Sequence, residues 1–211
     1  MDQQKVIACY NATANEYAAS LFDELSAKPL DRLLLKQFGA ENAAKGRMID
    51  LGCGPGQTTR FLWEHGVAEI IGTDIASGMI ERARQLNPDI PFQTADMLNL
   101  DFAAGSFASA IAFYAIVHFN TAQLKTAFSE ISRVLVNGGQ LLLSFHIGDE
   151  IIHRDELFGI NVDIDFCFFR TAEVLALLKE AGFRLIDAIE RYPYENVEHQ
   201  SKRAYLWVQR G

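Results

Sequence analysis

Apolar residues along this chain gather in short runs separated by amphipathic stretches. The run Met48-Ile49-Asp50-Leu51 reads as a strand and stops at three glycines, Gly52, Gly54 and Gly56. Thr58 and Thr59 then open a helical stretch, Phe61-Leu62-Trp63, that reaches about His65 with Gly66 as its stop. Residues 69–73 predict a second strand, ending at Asp74. A helix from Ser77 follows and ends at Asn87-Pro88, and residues 90–95 predict a third strand. Residues 98–106 show no long period and read as a loop or short helix. Residues 107–113 mix small and large apolar side chains without charge, the pattern of a strand buried on both faces. Asn120-Thr121 caps a helix that runs past Leu135 to a stop at Asn137-Gly138-Gly139, and residues 140–145 form the next strand. Thr171 caps a last helix that ends at Ala181-Gly182; residues 183–189 and 204–208 predict two closing strands around a turn at 192–194.

Strands alternating with helices across 46–190 predict a parallel sheet covered on both faces. Residues 1–45 are polar and alanine-rich and read as two amphipathic helices, the second from Pro29 to Phe38 with Gly39 just past its end. These helices either simply cover the sheet, or the first closes over a ligand. Residues 147–170 carry Phe158, Phe166, Phe168 and Phe169 among Asp155, Asp163 and Asp165. They read as a loop that either walls a small-molecule pocket or covers the sheet edge. One domain results, with an N-terminal helical segment (1–45), a core (46–146), this loop (147–170) and a C-terminal helix with strands (171–211).

At 211 residues and 49% hydrophobic, the chain has ample apolar material for one core. A net charge of −8, with no Lys/Arg stripe among aromatics, argues against a general nucleic-acid binder. Cys9, Cys53 and Cys167 suggest neither a disulfide framework nor a metal set, which fits a reducing cytoplasm. The N-terminus lacks the basic start and apolar core of a signal peptide. The longest apolar stretch, 107–119, is interrupted by Ser109, Tyr114 and His118 and is shorter than the ~18–20 residues of a membrane helix. A soluble protein is expected. Two histidines and two acids within 146–153 do not have the i, i+4 spacing of H-E-x-x-H, so no metal is expected.

The chemistry centres on the glycines. Strand, glycine-rich turn and helix are how an α/β sheet lays a nucleotide-like ligand across its carboxyl edge, although three glycines alone also mark a tight turn. Two acids supply context. Asp50 precedes the turn, and Asp74 ends the second strand 20 residues beyond Gly54, where a carboxylate can accept both hydroxyls of a ribose. A dinucleotide turn, G-x-G-x-x-G, wants glycine where this chain has Gln57. D-L-G-C-G-P-G followed by I-I-G-T-D-I resembles the first two motifs of class I S-adenosylmethionine-dependent methyltransferases.

That resemblance extends from Met48 onward. It implies a Rossmann-like three-layer sandwich with a seven-stranded, mostly parallel sheet and an antiparallel C-terminal strand. It implies S-adenosyl-L-methionine as cofactor, S-adenosyl-L-homocysteine as product, and methyl transfer to a small molecule. Asp50 then holds the methionine end and Asp74 the ribose, over the turn Gly52, Gly54 and Gly56. Ile75 and Met79 wall the adenine, whose amine is accepted by Asp96 while the next amide, at Met97, donates to the ring. Y-N-A-T-A-N-E-Y resembles an N-terminal segment that places Tyr10 or Tyr17 beside the cofactor, where an aromatic face suits a sulfonium. Residues 113–119 resemble a fourth motif, with Phe113 on the cofactor side and His118 near the substrate. His118, His146 at a strand tip facing the pocket, and Tyr17 are the candidate catalytic groups. Ala108 stands where the family pattern has aspartate, so any polar link from that position is lost. A nicotinamide-dependent reductase and a non-catalytic cofactor-binding protein are the alternatives. Neither the acceptor atom nor the oligomeric state is fixed by any pattern.

Overall fold

In the computed structural model, which describes residues 2–211, five apolar runs form parallel strands. These are β1 (Met48–Leu51), β2 (Ile70–Asp74), β3 (Phe92–Thr94), β4 (Phe107–Phe113) and β5 (Leu135–His146). A separate antiparallel hairpin follows, β6 (Ile151–Leu157) and β7 (Ile160–Cys167). Two last strands, β8 (Phe183–Arg191) and β9 (Arg203–Arg210), complete a seven-stranded sheet in the order β3-β2-β1-β4-β5-β9-β8. β9 runs antiparallel to both neighbours, as the resemblance implies.

Among the described residues six α-helices pack around these strands: α1 (Gln3–Leu21), α2 (Pro29–Asn42), α3 (Gln57–Glu64), α4 (Ser77–Leu86), α5 (Thr121–Val134) and α6 (Thr171–Glu180). The sheet's two faces are buried by period-2 alternation. Ile49, Leu51, Ala110, Leu141 and Leu143 meet Leu124, Phe128 and Ile131 of α5. Met48, Ile111 and Leu142 share the opposite core with Leu35 and Phe38 of α2 and Leu62 of α3. Strand order reverses between β1 and β4, whose carboxyl ends therefore open into a crevice at the sheet's switch point.

Four expectations need correction. Gly39 does not end α2, which continues to Asn42; a Cβ there would meet Leu62 and Val67 methyls at 3.1 Å, so glycine serves close helix packing. α5 stops at Val134 rather than at the 137–139 glycines, because Leu135 turns extended to pair with Phe107. Thr171 is the first residue of α6, and Arg170 is its N-cap. The 147–170 segment is no loop: 151–167 form the β6–β7 hairpin, turned at Phe158 and Gly159 with φ of 54° and 78°. Its signal was the alternation Ile160, Val162, Ile164, Phe166. Ile164 is buried and packs on Val6 and Cys9 of α1.

Candidate active site

The crevice is a cavity lined from both sides, with about 1210 Å³ of unfilled space including its open mouth. The β1–α3 turn supplies its floor. Gly52, Gly54 and Gly56 all have positive φ (68°, 53° and 88°), but they do different work. A Cβ on Gly52 would lie 2.5 Å from that of Ala115, and one on Gly56 would lie 2.8 Å from Asn87 and Phe92. Gly54 alone is open, with nothing nearer than 3.9 Å. Gly52 and Gly54 line the cavity, whereas Gly56 does not; it is the left-handed N-cap of α3 and starts that helix.

Three carboxylates face this space without a cationic partner among the described residues. Asp50 is 1% exposed and accepts from Thr59 Oγ1 at 2.6 Å; burial pushes its carboxyl up to about 7 against that bond. Asp74 accepts from the Gly54 and Ala76 amides (3.0 and 2.9 Å), which ties the glycine turn to the tip of β2, while burial raises its pKa. Asp96 accepts from the Leu98 amide, and Gln3 Nε2 of α1 donates to both its oxygens at 2.9 and 3.0 Å. Ile75, Met79, Met97 and Phe113 line the same cavity. One buried and two half-buried acids lacking a counter-cation beside a bare Gly54 suit a ligand that combines an ammonium, a sulfonium and a ribose. The residues present fit S-adenosylmethionine.

α1 spans the crevice and contributes Gln3, Val6, Tyr10 and Tyr17 to its lining. Asn11 pins it to the core by accepting the Gly78 amide at 2.7 Å. Tyr10 and Tyr17 meet edge-to-face with centroids 6.1 Å apart, and burial raises both phenols. Tyr10 Oη lies 2.7 Å from His118 Nε2, and His118 Nδ1 lies 2.7 Å from the Asp165 carbonyl on β7. A carbonyl only accepts, so Nδ1 carries the proton and Nε2 accepts from Tyr10. Burial lowers His118 to about 4, which keeps this neutral tautomer at pH near 7.

His146 does not line the cavity. It stacks on Phe168 (4.9 Å) and its Nδ1 lies 2.8 Å from Ser201 Oγ, so its expected position facing the pocket is corrected. β5 carries it past the cavity edge to the β9 side, where it pairs with Arg203. Among the described residues no cluster of three or more His, Cys, Asp or Glu has a metal-holding arrangement.

Sequence reasoning missed Lys28 and Asp31, at the start of α2, and Tyr114, which line the same cavity. Lys28 and Asp31 read locally as ordinary residues around a helix start; what marks them is Arg191, 160 residues from Asp31 and 3.1 Å away. Tyr114 has φ of 54°, a left-handed conformation costly for a bulky residue, held by bonds from its amide to Ser144 O and Oγ at 3.0 and 3.2 Å.

Comparison with known proteins agrees with this geometry. A family described as a methyltransferase domain matches residues 48–139. The chain is 31% identical over 144 residues to the probable tRNA methyltransferase 9B of Bos taurus, covering 68% of this chain and 29% of that one. It is 30% identical over 168 residues to the O-methyltransferase cnsE of Penicillium expansum, covering 76% and 60% respectively. It thus spans less than two thirds of the length of either relative. Among solved structures, the magnesium protoporphyrin IX methyltransferase of Synechocystis PCC 6803 with S-adenosylhomocysteine superposes with a TM-score of 0.73 at 17% identity, over 100% of both chains. At that identity the likeness speaks for the fold.

Proposed function

Because the chain belongs to the class I S-adenosylmethionine-dependent methyltransferases, we propose that it transfers the sulfonium methyl of that cofactor to a small-molecule acceptor. The observation that carries this reading is the set Asp50, Asp74 and Asp96 around open Gly54, with Tyr10, Tyr17 and His118 opposite in the same cavity. When bound, the cofactor supplies a methyl carbon on a cationic sulfur, already activated for displacement. Asp50 holds the ammonium, Asp74 the ribose hydroxyls, and Asp96 with the Met97 amide the adenine edge, between Ile75 and Met79. Phe113 and the rings of Tyr10 and Tyr17 close the apolar wall, and α1 acts as the lid that excludes water. Fixing acceptor and methyl in line accounts for about 7–11 kcal/mol of barrier without a strong base.

Tyr10 and His118 add a route for the acceptor's proton. It passes to Tyr10 Oη as the Tyr10 proton moves to His118 Nε2, while the Asp165 carbonyl keeps Nδ1 protonated. Tyr17 orients the acceptor rather than moving its proton. His146, stacked on Phe168 outside the cavity, is given no step.

The names of the relatives include a tRNA methyltransferase and an O-methyltransferase. The net charge of −8 favours a small acceptor over an RNA backbone. Three free buried thiols suit action in a reducing cytoplasm. A nicotinamide reductase is disfavoured by Gln57 and by Asp50 under the turn. Isothermal titration with S-adenosylmethionine and with NADPH, followed by methyl release over a panel of phenols, thiols, amines and carboxylic acids, tests the reading. Heat from the first compound and turnover with one acceptor support it. Binding without turnover on any acceptor leaves a non-catalytic cofactor-binding protein.

A further inference from the structure

The cavity does not end at the cofactor residues. Its lining also takes in Lys28 and Asp31 at the start of α2 and Tyr114, with Leu25 and Phe113 as apolar walls. Asp31 is 1% exposed. Its Oδ1 is fully used, accepting from Tyr205 Oη at 2.6 Å and from Arg191 Nη2 at 3.1 Å. Its Oδ2 is buried, with almost no surface open to the cavity, and has no hydrogen-bond partner, so a ligand bonds it once the carboxylate turns toward the cavity. A carboxylate oxygen in that state lacks a donor whose absence is costly, and this one belongs to a residue on the cavity wall.

The surroundings define which donor fits. Lys28 Nζ pairs with Glu24 Oε2 at 2.5 Å and lies 5.4 Å from the Tyr114 ring centre. Arg191 and Arg203 both pair with Glu198, and Arg191 also with Asp31. Lys28, Arg191 and Arg203 are therefore matched by Glu24, Asp31 and Glu198, and this part of the cavity is electrically balanced. A ligand ammonium reaching Oδ2 would sit beside Lys28 and Arg191. A ligand carboxylate would sit against Asp31. A neutral hydroxyl meets neither penalty and supplies the missing hydrogen bond. Leu25, Phe113 and the Tyr114 ring, held in place by its left-handed backbone, offer flat apolar contact to the body of such a ligand.

We propose that Asp31, with Lys28 and Tyr114, forms the acceptor subsite and selects a neutral, aromatic hydroxyl compound by accepting a hydrogen bond from its O–H at Oδ2. Asp31 is a positioning residue: its hydrogen bond sets the acceptor's orientation. The inference rests on the methyl-transfer reading, but its test does not need turnover.

Protein saturated with S-adenosylhomocysteine is titrated with phenol, anisole, benzoate and benzylamine, with binding followed by NMR line shifts. Phenol should bind about 10-fold or more tighter than anisole, which lacks the donor, and tighter than either charged probe. In Asp31→Asn the carboxamide oxygen can keep Tyr205 and Arg191 while its NH2 replaces Oδ2. An ether and a hydroxyl both accept from NH2, so the preference should fall below about twofold. Affinity for S-adenosylhomocysteine should stay within about twofold. A benzoate or benzylammonium preference overturns the proposal, as does a phenol preference that survives in a variant still binding the product. If Asp31→Asn does not fold, the ranking of the four probes on the unaltered protein decides alone. Failure of S-adenosylhomocysteine to bind would sink the methyl-transfer reading instead, and the ranking is then read on the free protein.

Discussion

Two aspartates at strand ends set the residue-scale chemistry. Asp74 anchors the Gly54 amide and, in the proposed reading, holds the ribose, so Asp74→Ala should weaken cofactor binding by about 2–4 kcal/mol, read by calorimetry. Unchanged affinity in the folded variant would count against the assignment. Asp50 gives a pH dependence. Its folded carboxyl sits at about 7, above the ordinary value of 3.8, so the free protein holds a proton there that the unfolded chain has lost. Between about pH 4 and 7 that group makes the free protein less stable as pH rises. Affinity for a cationic cofactor moves the other way: it should rise with pH and flatten above about 7, a slope that Asp50→Asn removes. The glycines separate stability from binding. Gly52→Ala places a methyl 2.5 Å from Ala115 at a positive φ and should cost roughly 2–4 kcal/mol of stability. Gly54→Ala meets open space and should cost only about 1–2 kcal/mol, while cofactor affinity falls. Thermal melts beside calorimetry distinguish them. Asp50, Asp74 and the turn were legible because their spacing is local. Asp31 was not, because its partners Arg191 and Tyr205 come from the far end of the chain.

At the scale of elements, the β6–β7 hairpin and α1 depend on each other. Ile164 packs against Val6 and Cys9, Phe158 meets Tyr17 at 5.7 Å, and the Asp165 carbonyl holds His118. The hairpin therefore reaches the Tyr10–His118 pair from outside the sheet. Ile164→Ala should cost about 2–4 kcal/mol and raise amide exchange in α1 and β7 more than in β1 or β4. Uniform exchange across the chain would show that the two elements do not form a unit. The central strands were readable from apolar runs without charge. The hairpin was masked because its alternating residues include three aspartates, and because the hydrophobic side faces a helix 140 or more residues earlier in sequence. The glycine at 39 misled for the opposite reason: it serves a close helix contact, a purpose that local patterning shares with a helix stop.

Across the whole molecule, one cavity joins the sheet's switch point, α1 and the start of α2, so occupancy at one end should be felt throughout the fold. A cofactor at about a hundredfold excess over its Kd should add about 2.7 kcal/mol, raising Tm by roughly 5–10 °C for a chain of this size. No shift with either the methylated cofactor or its product would remove the basis for the reading. The Gln3 carboxamide on Asp96 carries a further implication. Its NH2 offers the acid the same two-proton donor as an adenine amine, so the arriving nucleoside must compete with a tethered mimic. Stopped-flow association should then bend toward a plateau as cofactor concentration rises, the ceiling being the rate at which the glutamine lets go. Gln3→Ala should restore a straight line.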